Sequence, residues 1–400
     1  MTSAATSTLT GTWNYPTRML VGPGRIAELG DACRSANITR PLVVTDKGLA
    51  DLPVTAKAEK VLAGAGLAAA VFSEVKGNPT LDNVEAGLAA YREGNHDGVV
   101  AIGGGSAIDV GKCVAFMAGQ TRPIWDFEDI GDWWTRADAS VIAPIIALPT
   151  TAGTGSEVGR AAVVTNRQTH EKKIIFHPQM LPKVVIADPE LSVGLPAEIT
   201  AATGFDALAH CIEAYCAPGF HPMADGIALQ GTALIAAYLP RAYSQGHDIE
   251  ARSRMLAAAS MGATAFQKGL GAVHSISHPV GAIYDTHHGL TNGVLLPYVL
   301  LWNRPAIETK MDVLARVLNL APNLTQTGFD AVLEWLLDFR RQLGIPHTLA
   351  DLGVGDDRVG ELAEQAVRDP STSCNPRPMT AQDFEAVIRA AIHGDLIAAA

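Results

Sequence analysis

Residues 98–119 read GVVAIGGGSAIDVGKCVAFMAG, an apolar run, a glycine turn and a helix-compatible stretch in immediate succession. A strand that ends in Gly103-Gly104-Gly105-Ser106 and feeds a helix turns backbone amides toward an anion, and glycines let it approach. The loop is neither GxGxxG nor the GxxxxGK pattern of a Walker loop. Taken alone, a glycine turn after a strand also has a purely steric reading. Its weight comes from what surrounds it. Further β-branched runs, PLVVT (41–45), AAVFSEV (69–75), PIIALP (144–149) and VVIAD (184–188), flank it on both sides. Between them lie stretches such as Thr80 to Glu93, with Leu81, Val84, Leu88 and Ala89 at helical spacing. Continuous apolar strands alternating with helices predict a parallel sheet covered on both faces.

After Asp188-Pro189 the β runs disappear. Alanine- and leucine-rich sequence follows, as in Ala197 to Tyr215, Ala224 to Tyr243, Ile249 to Ala265 and Asp330 to Leu343. The expectation is an α/β domain over 1–190 and an all-helical domain over 191–400, hinged near DPELSVGLP (188–196). The segment Thr121 to Asp138, with Trp125, Trp133 and Trp134, reads as a surface excursion between two strands and has no functional reading.

Composition narrows the function classes. The 400 residues are 48% apolar and 18% charged, a globular composition. A net charge of −11 argues against nucleic-acid binding, which needs a basic footprint. Five cysteines make no CxxC pair, which fits free thiols in a reducing compartment. Cys211 and Cys216 fall on different faces of one helix and read as packing residues. The start, MTSAATSTLTGTW, lacks the basic and apolar regions of a secretory leader, and the apolar stretches are too short to span a bilayer. A soluble, cytoplasmic protein without membrane or nucleic-acid partners is expected.

The chemistry-bearing residues cluster. Asp206 and His210, four apart in GFDALAHCIEAY, project from one helix face. Four of the 12 histidines, His274, His278, His287 and His288, then fall within fifteen residues. Asp206, His210, His274 and His288 form a candidate ligand set, since imidazoles and a carboxylate suit a divalent first-row metal. Asp46, closing PLVVTD, stands where an acid accepts a ribose hydroxyl bond, although the same residue type also caps turns. The loop LPTTAGTGSEVG (148–159) offers hydroxyls at Thr150, Thr151 and Thr154 with little bulk, a composition that suits a phosphate or a ribose.

These segments, with LVGPGRIAELG (20–30), GGGSAID, LPTTAGTGSE and DPELSVGLP in the same order, resemble the iron-containing (group III) alcohol dehydrogenases over nearly the whole chain. The resemblance implies an α/β dinucleotide-binding domain and a helical metal-binding domain, the fold shared with dehydroquinate synthase, with NAD and metal meeting in the cleft. It implies Asp206, His210, His274 and His288 as ligands of Fe²⁺, with Zn²⁺ the alternative. His288 is preferred to His287 because the family's ligand directly precedes the glycine, here Gly289. His278 corresponds to a family histidine near nicotinamide and substrate, and is the candidate proton relay. Asp46 would bind the adenosine ribose and favour NAD over NADP, and Gly104, Gly105 and Ser106 would bind the pyrophosphate. Asn78, Thr150, Thr151, Thr154 and Lys172 would line the rest of the site. A homodimer or larger assembly is implied as well.

The activity implied is NAD-dependent, metal-assisted interconversion of a primary alcohol and its aldehyde. Two cations, Lys268 in AFQKGLGAVH and Arg160 after the threonine loop, raise a second reading. If they face the cleft, the substrate carries an anionic end: an ω-hydroxy acid or semialdehyde, or a sulfonate- or phosphonate-bearing aldehyde. A dehydroquinate-synthase-like lyase and a silent binding protein are the rival classes. The first is disfavoured because that family's ligands include a glutamate, the second because the ligand set is intact.

Overall fold

The computed structural model describes residues 17–320 and 326–396; the stretch read for a leader lies outside them. Among the described residues eight strands occur, all in the first half: β1 (Arg18–Val21), β2 (Pro41–Asp46), β3 (Ala70–Val75), β4 (Gly98–Gly103), β5 (Ile145–Pro149), β6 (Ala161–Asn166), β7 (Glu171–Phe176) and β8 (Val184–Ala187). Six of them form one sheet in the order β1-β8-β5-β4-β2-β3, every pair parallel. The helices α1 (Leu29–Ser35), α2 (Pro53–Gly64), α3 (Leu81–Glu93) and α4 (Gly105–Met117) cover it. Alternation along β4 shows why both faces are apolar. Val100 and Ile102 pack in one core with Leu29 and Leu62, while Val99 and Ala101 pack in another with Val84 and Val114.

The strand order decides where a ligand can sit. Between β2 and β4 the chain reverses its direction of progress across the sheet, and ligands of open parallel sheets bind outside the strand ends at such a switch point. Asp46 closes β2 there, and Gly103 closes β4.

Three strands escaped the sequence reading, the short edge strand β1 and the two of the antiparallel hairpin β6–β7. The tryptophan-bearing excursion packs on that hairpin. Its base is tied by a pair of bonds between Gln120 and Asp138, and the Asp129 N–H donates to the Ile174 carbonyl at 2.8 Å. Trp134 stands edge-on against Phe176, with ring centroids 6.4 Å apart.

The second half contains α5 (Ala197–Cys216), α6 (Pro222–Ser244), α7 (Ile249–Ala265), α8 (Ala272–Tyr284), α9 (His288–Val317), α10 (Gly328–Gln342), α11 (Val359–Arg368) and α12 (Ala381–His393). No strand occurs there among the described residues. α5 is buried along nearly all its length, Asp206, His210 and Glu213 included. Cys211 and Cys216 pack in its core, and all five cysteines are free thiols. Among the described residues no helix is long and apolar enough to cross a membrane.

Candidate metal centre and nucleotide cleft

Three helices deliver the expected ligands. Asp206 and His210 stand one turn apart on α5, His274 is in the first turn of α8, and His288 opens α9. The turn between α8 and α9 depends on Asp285, held at φ 53°, which ends one helix and starts the next in a new direction. Asp206 Oδ1 is the hub. It lies 3.6 Å from His210 Nε2, 3.8 Å from His274 Nε2 and 3.5 Å from His288 Nε2. These gaps are too long for hydrogen bonds. They suit donors sharing a cation, since bonds of about 2.0–2.1 Å in a tetrahedron set ligand atoms roughly 3.4 Å apart. Candidate ligand atoms of Asp206, His210 and His274 all lie within 4.8 Å of one another. His288 is the ligand side chain most open to solvent, 25% exposed against 5% or less for the other three. The donor set fits a divalent metal.

Electrostatics points the same way. Burial drives the Asp206 carboxyl up, but the facing histidines outweigh it and hold the group well below the usual carboxylate range. Burial pulls His210 down to about 4 and takes His288 well below its ordinary value, leaving both imidazoles neutral. His274 differs. Burial pulls it down, yet the Asp206 and Glu213 carboxylates prevail and raise it to about 9.

Glu213 was not foreseen, although it lies three residues beyond His210 on the same buried helix. Its Oε2 is 2.5 Å from His274 Nδ1 and its Oε1 accepts the Val273 N–H at 2.8 Å. A carboxylate behind a ligand histidine fixes the ring and the tautomer. Asp369 does the same for His278, with Oδ2 2.7 Å from Nδ1. The 91 residues between them leave no local signal to find. The His278 ring stacks on that of His288 at 5.5 Å, beside the metal site.

The residues expected to bind the nucleotide come together at the switch point. Gly104 caps α4, with Gly105 and Ser106 in its first turn. A Cβ on Gly104 would lie 3.2 Å from Thr151 Oγ1, and one on Gly105 would lie 2.5 Å from Thr154 Oγ1. The two loops therefore touch backbone to side chain, and the Thr150 N–H donates to the Gly103 carbonyl at 3.0 Å. Asp46 Oδ1 accepts the Leu49 N–H at 3.1 Å, so it caps its own turn while its other oxygen faces Gly103. A buried network missed in the sequence anchors the threonine loop. Asp109 accepts from Ser156 Oγ at 2.5 Å and from the Val163 N–H at 2.9 Å, and Lys112 donates to the Ser156 carbonyl at 3.0 Å.

Lys172 and Asn78 cross to the helical half. A Cβ on Gly281 of α8 would lie 3.0 Å from Lys172 Nζ, so the glycine makes room for the amine. Burial lowers this amine to about 8, against the pull of Asp206 and Asp285. The Asn78 amide donates to Asp285 Oδ1 at 2.8 Å. Two adjoining cavities of about 200 and 340 Å³ share Asp129, Ile174 and Pro370. Lys172, His278 and Asp369 line the first, and Arg160, Phe266, Gln267 and Cys374 line the second.

The two substrate cations part company here. The Arg160 guanidinium stands 5.4 Å from the Phe176 ring centroid on the wall of the larger cavity. Lys268, a conditional candidate for the cleft, turns elsewhere and drops out as a substrate cation. Its ammonium pairs with Asp225 of α6 and donates to the Tyr215 carbonyl at 3.2 Å, with the side chain 2% exposed. Sequence spacing gave the reach of that stem but not its direction, which the short 3-10 turn Phe266–Lys268 sets toward the end of α5.

The model of iron-containing alcohol dehydrogenases matches residues 16–189, and that of the family's C-terminal domain matches residues 200–392. The chain belongs to the iron-containing alcohol dehydrogenase family. It is 40% identical to the 4-hydroxybutyrate dehydrogenase of Cupriavidus necator over 94% of its own length and 98% of that protein. A solved 1,3-propanediol oxidoreductase superposes with a TM-score of 0.90 at 35% identity, covering 96% of this chain and all 100% of that one. The sulfoacetaldehyde reductase of Bifidobacterium kashiwanohense, solved with NAD⁺, gives 0.84 at 30% identity, covering 96% and 100%. As an iron-containing alcohol dehydrogenase, the chain is a metal-dependent oxidoreductase that transfers hydride between NAD(H) and an alcohol/aldehyde pair.

Proposed function

We propose that this dehydrogenase acts on a short primary alcohol or aldehyde with an anionic far end, and that Arg160 binds that end. The observation that carries the reading is the Arg160 guanidinium on the wall of the 340 Å³ cavity next to the one bearing His278. Asp129, the acid facing it, is pushed toward its neutral form by burial while Arg160 pulls the other way. A substrate anion paired with Arg160 would favour that neutral form further, so that one anion and not two faces the guanidinium. The names of two relatives, a 4-hydroxybutyrate dehydrogenase and a sulfoacetaldehyde reductase, support the same class.

A divalent cation, Fe²⁺ or Zn²⁺, on Asp206, His210, His274 and His288 would supply Lewis-acid polarisation of the substrate oxygen, and nicotinamide would supply the hydride chemistry. The chain's own residues do the rest. His278 has Nδ1 committed to Asp369, which leaves Nε2 as the atom that takes or returns the proton. Gly104, Gly105 and Ser106 receive the pyrophosphate at the start of α4, Asp46 the ribose, and Thr150, Thr151, Thr154, Asn78 and Lys172 close around the remainder. Cytoplasmic residence and a homodimer or larger assembly complete the proposal, the second checked by light scattering.

The test compares kcat/KM for 4-hydroxybutyrate and 1-butanol. A charged hydrogen bond of about 1.5–3 kcal/mol corresponds to roughly a tenfold to hundredfold preference for the acid. Arg160→Met should erase that preference and spare 1-butanol. An unchanged ratio in the variant removes Arg160 from substrate choice and leaves a general alcohol dehydrogenase.

A further inference from the structure

Asn292 lies on α9 one turn beyond His288, is fully buried, and has no place in the ligand set. Its Nδ2 donates to Asp206 Oδ1 at 2.8 Å and stands 3.1 Å from His288 Nε2 and 3.3 Å from His274 Nε2. One amide thus faces polar atoms from α5, α8 and α9, of which the Asp206 carboxylate is the acceptor. An ionised carboxylate only accepts, so the NH₂ end is the one that fits against Asp206. The opposite end, Asn292 Oδ1, is buried without a partner. An amide normally avoids such an orphan, so its orientation is dictated by the Asp206 side.

We propose that Asn292 is a positioning residue of the metal centre, holding the rotation of the Asp206 carboxylate as Glu213 holds the His274 ring. The proposal rests on the four-ligand metal reading. With His274 and His288 committed to a cation through Nε2, the bond to Asp206 is the one of the three that persists. A leucine of similar volume would leave Asp206 Oδ1 without this donor, and an aspartate would set two carboxylates face to face.

The experiment loads the full chain with Co²⁺ and measures Kd by chelator competition together with the visible d–d spectrum. Asn292→Leu keeps volume and loses the donor; Asn292→Ser keeps a donor and loses volume. Asn292→Leu should bind Co²⁺ roughly tenfold to a hundredfold more weakly, with shifted bands, as removal of outer-shell partners usually does. The far-UV circular dichroism and melting of its metal-free form should stay close to the parent. Asn292→Ser should lose less. Parental Kd and bands in Asn292→Leu, or a loss in Asn292→Ser as large as in Asn292→Leu, overturns the proposal. Should Asn292→Leu fail to fold, Asn292→Ser is compared with Asn292→Ala: tighter binding by Ser supports the donor role, and equal binding refutes it. If the parent protein itself does not take one Co²⁺ per chain, the four-ligand reading fails instead.

Discussion

His287 and His288 are neighbours in sequence and opposites in setting. His287 is exposed at the N-cap of α9, whereas His288 turns Nε2 to within 3.5 Å of Asp206. His288→Ala should therefore lose metal on purification and nearly all turnover, while His287→Ala keeps both; elemental analysis of the two proteins decides it, and full occupancy in His288→Ala would reassign the ligand. His274 carries a second consequence. In the metal-free protein it is held protonated up to about pH 9, and it must give up that proton to bind through Nε2. Metal affinity should rise about tenfold per pH unit below that value and level off above it, as protons cease to compete. Chelator competition at pH 7 and 8 measures this, and a flat Kd would contradict it. At Asp46 the expectation is a preference for NAD over NADP that Asp46→Gly relaxes by removing like-charge repulsion with a 2′-phosphate. Equal kcat/KM for both cofactors in the parent enzyme would refute the assignment.

At the scale of elements, Gly155 shows how the halves meet. It has φ 63°, and a Cβ there would lie 2.3 Å from the Ala263 Cβ and 2.7 Å from the Ala259 carbonyl of α7. Gly155→Ala should cost on the order of 1–3 kcal/mol from backbone strain alone, with further loss from the clash. Ala263→Gly in the same protein should recover only the contact with the Ala263 Cβ and leave the strain and the Ala259 carbonyl contact, a partition that urea midpoints of the single and double variants would expose. Five of the sheet's strands were legible as short β-branched runs, four of them buried along nearly their whole length and the edge strand β3 only in part. β1 was not, being four residues long and at the sheet edge. Nor was the hairpin, whose strand EKKIIF is charged and half-exposed, the signature of a surface segment. The candidate ligands were legible as a cluster because helical spacing and residue type coincide there. Asp369, Asn292 and the Asp109–Lys112 network were hidden because they also meet partners on other elements, brought near only by packing.

For the whole molecule, Lys172 links the hairpin to α8 and makes stability depend on pH. Its folded value of about 8 lies below the ordinary 10.5, so between those limits the unfolded chain binds more protons. Stability of the metal-free, nucleotide-free protein should rise with pH across that window, and the cost of burying the ammonium is fully present below pH 8. Lys172→Met should raise the urea midpoint at pH 7 and lose that advantage by pH 10; a constant difference would show that the amine titrates normally. The left-handed Asp285 between α8 and α9 has an evolutionary consequence. Two adjacent histidines look like insurance, since either is chemically able to serve. Yet deleting one residue of that turn would rotate α9 by about 100° about its axis. His287 would not simply inherit the place of His288, because Asn292 and the whole buried face of α9 would turn with it. The duplicated histidine therefore gives no tolerance to insertion or deletion here: the length of the turn, and not only the identity of its residues, fixes which imidazole faces Asp206.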